Sequence, residues 1–164
     1  MGETIFSHLD EKGNARMVDI TGKEETIREA LAEAHVVMSH ETLSLIMDGK
    51  ISKGDVYSVA RIAAIMAAKK TGELIPLCHP LDITGIEINF IPCPEKGEIV
   101  IRSLVRTRGR TGVEMEAMTA ASIAALTIYD MCKGVDKTIT ITQIALLAKQ
   151  GGKSGDFVRP VQRG

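Results

Sequence analysis

Asp130 and Lys133 stand three residues apart at the end of the run Thr111–Lys133, TGVEMEAMTAASIAALTIYDMCK. On a helix that spacing places a carboxylate and an ammonium on one face, where each biases the other's proton affinity and the two can work as acid and base. The spacing equally describes an exposed ion pair, worth about 0–1 kcal/mol. The setting favours chemistry, because the pair follows a mostly apolar helix of small residues. Glu114 and Glu116 open the same run, where carboxylates also complement the positive end of a helix dipole. From Glu114 to Asp130 is roughly 24 Å of helix at 1.5 Å per residue. Within one chain the two ends cannot meet around one small ligand. Either each end serves its own site, or one site draws on two chains. Ala117, Ala120, Ala121, Ala124 and Ala125 between them permit close approach of another surface, in a homo-oligomer or against a sheet.

Cys78-His79 lies between prolines in ELIPLCHP. No CxxC or HxxxH spacing accompanies it, so a metal centre is not expected. Adjacent residues of an extended segment point apart, which argues against a Cys–His nucleophile. His79 reads as a hydrogen-bonding or acid–base group, or as a packing residue. Arg102, Arg106, Arg108 and Arg110, with Lys53, Lys149 and Lys153, supply cations to a chain of net charge −1. Arg106-x-Arg108-x-Arg110 reads as a basic loop entering a helix N-terminus, a setting that suits a phosphorylated small molecule. The tail holds GGKSG but is not a phosphate-binding P-loop. The glycine required before Gly152-Lys153-Ser154, with four residues between, is Leu147.

Behind these residues stands a chain of 164 residues, 45% hydrophobic but only 3% aromatic and without Trp. One domain spanning 1–164 is expected, with residues 1–14 and 150–164 flexible. Neither a basic field nor a stacking platform is present, so nucleic-acid binding is not expected. The first twenty residues carry scattered charge and no apolar core, and no run of about eighteen apolar residues occurs anywhere. A cytoplasmic protein without signal peptide or membrane span is expected. Cys78, Cys93 and Cys132 form no disulfide framework. Periodicity predicts helices over 23–34 (with Thr21 and Glu24 as a capping box), 39–49, 55–70 and 111–133. It predicts strands over 15–20, 35–38, 83–91, 98–105 and 138–144, those at 83–91 and 98–105 forming a hairpin. The sum is an α+β fold, a ferredoxin-like antiparallel sheet with helices packed on one face.

Five segments in order, Lys53-Gly-Asp-Val56, Leu77-Cys-His-Pro-Leu81, Thr111-Gly-Val-Glu-Met-Glu-Ala117, Leu126-Thr-Ile-Tyr-Asp-Met-Cys-Lys133 and Gly151-Gly-Lys-Ser-Gly-Asp156, resemble the MoaC family. The likeness runs from about Met17 to Asp156. It implies a cyclic pyranopterin monophosphate synthase of molybdenum cofactor biosynthesis, a lyase. Such enzymes convert 3′,8-cyclo-7,8-dihydro-GTP, made by a radical SAM partner enzyme, to the cyclic pterin with release of pyrophosphate. It further implies a homohexamer built as a trimer of dimers, and no redox cofactor; Mg²⁺ with the triphosphate is left open. Carried over by position, Asp130, Lys133 and Lys53 are implied as catalytic. Leu77, Cys78, His79, Met115 and Glu116, with Glu114 beside them, are implied as substrate contacts. Arg106, Arg108, Lys149 and Lys153 are added as phosphate ligands from charge and position alone. Two other classes fit the residues without the likeness: a non-catalytic binder of phosphorylated nucleotides, and a structural oligomer whose charged helix ends are interface salt bridges.

Overall fold

A computed structural model describes Asp10 and residues 12–160 of the chain. The remainder of the segments expected to be flexible lies outside the described residues. Along β3 (Glu98–Gly109), Ile99, Ile101, Ser103, Val105 and Thr107 are buried, while Arg102, Leu104, Arg106 and Arg108 point the other way. That two-residue period builds a sheet with one face on a core and one open. β3 pairs antiparallel with β2 (Ile83–Cys93) on one side and with β1 (Thr26–Val37) on the other. β1 pairs antiparallel with β4 (Thr140–Gln150), and β5 (Phe157–Val158) closes the edge beside β4, giving the order β2-β3-β1-β4-β5. Between β1 and β2 run α1 (His40–Met47), α2 (Val56–Lys69) and the short α3 (Thr71–Leu74); α4 (Glu114–Cys132) joins β3 to β4. This β-α-β-β-α-β order is the ferredoxin-like arrangement that the sequence predicts.

Local chemistry sets the helix boundaries. Ser39 accepts a hydrogen bond from the Thr42 amide to start α1, and Asp55 does the same from Ser58 to start α2. α4 lies across β1, β3 and β4 and packs against α2, which also covers β2. Its alanines 117, 120, 121, 124 and 125 are fully buried within the chain. Small side chains let α4 sit close on a sheet whose own inward residues include Ala30, Ala32 and Ala34. The alanine middle therefore serves sheet packing, and of the two uses considered for it the subunit contact is excluded.

The segment expected to be a helix over 23–34 is instead, from Thr26 on, the first nine of the twelve residues of β1. Thr21 and Gly22 form a turn rather than a capping box, and β1 takes the middle of the sheet between β3 and β4. The strand expected over 15–20 is irregular chain with a single bridging residue, Ala15. β3 continues through Gly109, so Arg106 and Arg108 belong to a strand and not to a loop.

Candidate functional site

Two centres occupy the two ends of α4. At its C-terminal end, Lys133 Nζ lies 2.7 Å from Asp130 Oδ1. Lys53, from the loop between α1 and α2, reaches the other oxygen of the same carboxylate at 3.1 Å and donates to the Asp130 carbonyl at 2.7 Å. All three side chains remain about half exposed. Hydrogen bonds from Lys133 and then Lys53 hold the Asp130 carboxyl below the usual carboxylate range, and Asp130 in turn raises Lys133. The result is an ionised base between two charged proton donors, open to a ligand. The turn behind Lys133 is fixed by Asp136, whose carboxylate accepts from the Ser39 amide (3.0 Å), the Thr42 hydroxyl (3.1 Å) and the Thr138 amide (2.8 Å).

At the N-terminal end, Leu77, Cys78, His79, Glu114, Met115 and Glu116 all line one cavity of ≈ 410 Å³, six residues singled out from sequence and brought together by the fold. The loop after α3 meets the first turn of α4 here. Val18, Ile20, Lys23, Leu81, Thr111 and Gly112 complete the wall, and His79 Nε2 donates to the Val18 carbonyl at 2.7 Å. Glu116 is only 4% exposed. Burial, reinforced by the neighbouring Glu114 charge, pushes its carboxyl up to about 7, so acid and carboxylate forms coexist near neutrality. Burial, and then the Glu116 charge, also raises the Cys78 thiol, which leaves it a poor nucleophile.

Of the four phosphate ligands added from charge, Lys149 and Lys153 adjoin this centre. Lys149 Nζ lies 3.4 Å from Glu114 and 2.6 Å from the Ser154 hydroxyl. Lys153 lines an adjacent cavity. Arg106 and Arg108 do not join this centre within the chain. Strand alternation turns both to the open face of the sheet, opposite α4, and Arg106 is held there by Glu29 and Glu87. Sequence reasoning missed Val18, Ile20 and Lys23. Nothing in their types or spacing marks them; only the path of the chain ahead of β1 brings them to the wall.

A split βαβ sheet carrying acid–base groups at both ends of its covering helix, one end opening into a cavity, defines an α+β protein equipped for proton transfer on a small molecule. The chain belongs to the MoaC family, whose sequence profile matches residues 17–152. It is 61% identical over 155 residues to proteins from two strains of Chloroflexus aurantiacus, covering 94% of this chain and 95% of theirs. It is 60% identical over 154 residues to one from Pelotomaculum thermopropionicum, covering 94% and 91%. Each of these relatives is named cyclic pyranopterin monophosphate synthase.

Proposed function

We propose that the chain is a cyclic pyranopterin monophosphate synthase, a lyase that converts 3′,8-cyclo-7,8-dihydro-GTP to cyclic pyranopterin monophosphate and pyrophosphate in molybdenum cofactor biosynthesis. The observation that carries this reading is the Asp130 carboxylate gripped by Lys53 and Lys133 in a chain of this family. Rebuilding a purine-derived ring as a pterin moves protons on and off several nitrogens and carbons, and this cluster offers one base and two acids within a few ångströms. Expelling pyrophosphate builds negative charge that ammonium and guanidinium groups stabilise. The reaction calls for no redox cofactor, and Mg²⁺ accompanies the triphosphate if the substrate brings it.

The nineteen-residue α4 separates the two centres, so the working site takes one end from each of two copies. An antiparallel pairing of α4 with its counterpart across a two-fold axis joins the lysine end of one to the glutamate end of the other. The outward side of α4 suits that contact. Met115, Met118, Ser122, Ile123, Leu126 and Tyr129 run along it at helical spacing, with Leu126 53% exposed. Three such dimers make the homohexamer, working in the cytoplasm downstream of a radical SAM enzyme that supplies the substrate. No helix among the described residues is long and apolar enough to cross a membrane.

The deciding experiment adds the purified chain to the product of the radical SAM enzyme and analyses what forms. A pterin with one equivalent of pyrophosphate is expected; unchanged substrate overturns the reading.

A further inference from the structure

Asp136 follows Lys133 by three residues and is only 7% exposed. Its Oδ1 accepts from the Thr138 amide at 2.8 Å and the Thr138 hydroxyl at 2.6 Å. Its Oδ2 accepts from the Ser39 amide at 3.0 Å and the Thr42 hydroxyl at 3.1 Å. A carboxylate offers about four lone-pair sites, so these donors saturate it. The Thr138 hydroxyl, and then the Ser39 amide, hold its carboxyl well below the usual carboxylate range. The two ammonium groups nearby, Lys53 and Lys133, turn to Asp130 instead. A saturated Asp136 does not compete for them.

The donors come from separate parts of the fold. Oδ2 fastens the start of α1 through its cap residue Ser39 and its first turn, and Oδ1 fastens the approach to β4. The amides of Val135 and Asp136 both donate to the Cys132 carbonyl, at 2.9 and 3.0 Å, so the turn after α4 closes on the last residue of the helix. Lys133 sits inside that turn. α1 then leads to the link carrying Lys53, which is pinned by the buried Ile51 and Val56. The centre is therefore a ring. It runs from Asp130 through Lys133 to Asp136, crosses to Ser39, follows α1 to Lys53 and returns to Asp130. Its joints differ in strength. The contacts of Lys53 and Lys133 with Asp130 are about half exposed, and exposed ion pairs fix little. The joint at Asp136 is buried, and its hydrogen bonds are charge-assisted.

We infer that Asp136 is a positioning residue for the reaction: by fastening the turn after α4 to the start of α1, it sets where Lys53 and Lys133 stand against Asp130. Buried and saturated, it acts through the two lysines and not on the substrate. The consequence for turnover rests on the proposed function. The consequence for the geometry of the lysines is a property of the chain alone.

The test compares the unaltered full-length chain with Asp136→Asn, which sets an amide NH2 against N–H and O–H donors, and with the milder Thr42→Val and Thr138→Val. Two readings are taken at a temperature where circular dichroism shows each chain folded. One is steady-state turnover of the cyclo-dihydro-GTP. The other is acetylation of single lysines by acetic anhydride, mapped by mass spectrometry against the exposed Lys70. Asp136→Asn is expected to lower kcat about tenfold to a hundredfold with KM nearly unchanged, the loss that a displacement of about 1 Å produces. Lys133, released from Asp130, is expected to acetylate severalfold faster relative to Lys70. The threonine variants should move both readings the same way by less, and they decide the matter if Asp136→Asn does not fold. A lower melting temperature with kcat and labelling unchanged overturns the inference, because Asp136 then only stabilises the fold. A fall in kcat with Lys133 labelling unchanged overturns it as well. Labelling that responds to Asp136→Asn, in a chain that leaves the cyclo-dihydro-GTP unchanged, upholds the positioning and sinks the synthase reading. Full turnover by the unaltered chain and all three variants does the reverse.

Discussion

Lys53 Nζ donates to both the main-chain carbonyl and the carboxylate of Asp130, a residue 77 positions further along the chain. The double contact ties the loop before α2 to the last turn of α4, so the position of Lys53 follows that of α4. It also leaves the second carboxylate oxygen for Lys133. A carboxylate with both oxygens engaged by ammonium groups stays ionised throughout the neutral range.

Replacing Asp130 by Asn, or Lys133 by Ala, should lower kcat by about 10²–10⁴-fold, the range of a lost general acid or base. Each side chain is about half exposed and none is in the core, so the melting temperature should hardly move. Single-turnover assays with circular dichroism melts check both halves. Near-normal turnover in Lys133→Ala would remove that residue from the chemistry.

Glu116 makes stability depend on pH. Its folded carboxyl sits at about 7, against 4.5 for a free side chain. The folded state therefore holds the proton more tightly, and stability falls as pH rises from about 4.5 to about 7, staying low above that. The displacement corresponds to about 3 kcal/mol. Glu116→Gln keeps a neutral group in the pocket, so urea unfolding should find it more stable than the unaltered chain at pH 8. The advantage should fade toward pH 4.5. A constant difference across that range would show that Glu116 is not buried as an acid.

His35 makes stability fall with rising pH as well, on the open face of the sheet and at a higher pH. Its ring nitrogens lie 2.6 Å from Glu98 and 2.8 Å from Glu33, and Arg102 closes on Glu33 at 2.9 Å. Burial disfavours the imidazolium, but the two carboxylate hydrogen bonds outweigh it and raise the pKa above 6.5. This stabilisation is complete below the unfolded value of 6.5 and is lost as pH climbs through the higher folded value. His35→Gln should cost about 1–3 kcal/mol at pH 6, since two largely buried carboxylates lose a partner that neither solvent nor Arg102 fully replaces. The cost should shrink by pH 9. Denaturant midpoints at the two pH values decide it, and an equal cost at both would mean that the ring is neutral.

The sequence reading succeeded where a segment's own pattern and its tertiary role agree. The β2–β3 hairpin, α1, α2 and the long α4 are all legible locally. β1 was not. Ile27, Leu31 and Ala34 repeat at helical spacing among good helix formers, yet Ala30, Ala32, Ala34 and Val36 also alternate, and they are the buried set. Alanine is too small and too neutral to make that alternation visible. What decides the conformation is pairing with β3 and β4, more than sixty residues away in sequence. The site divides along the same line. Leu77–His79 and Glu114–Glu116 announce themselves by residue type, whereas Val18, Ile20 and Lys23 reach the cavity wall only through the path of the chain ahead of β1. Alternation in the sequence stops being visible at Val105, so the face that Arg106 and Arg108 present is legible only from the strand that runs on to Gly109.

The two ends of α4 can be separated genetically if they meet across a subunit boundary. In a two-fold pair built from one Asp130→Asn copy and one His79→Ala copy, both lesions fall in one site and the other site is intact. Either variant alone should be inactive. Mixing equal amounts after mild dissociation and reassociation should restore about a quarter of normal turnover, because half the pairs are mixed and each has one whole site. Leu126→Glu places a charge in the middle of the outward stripe of α4. It should split the assembly on size-exclusion chromatography and abolish turnover together, leaving a folded chain by circular dichroism. Failure of the mixture to recover activity, with subunit exchange demonstrated by mass, would mean that each copy works alone. Some feature of a single chain would then have to bridge the roughly 24 Å between Glu114 and Asp130.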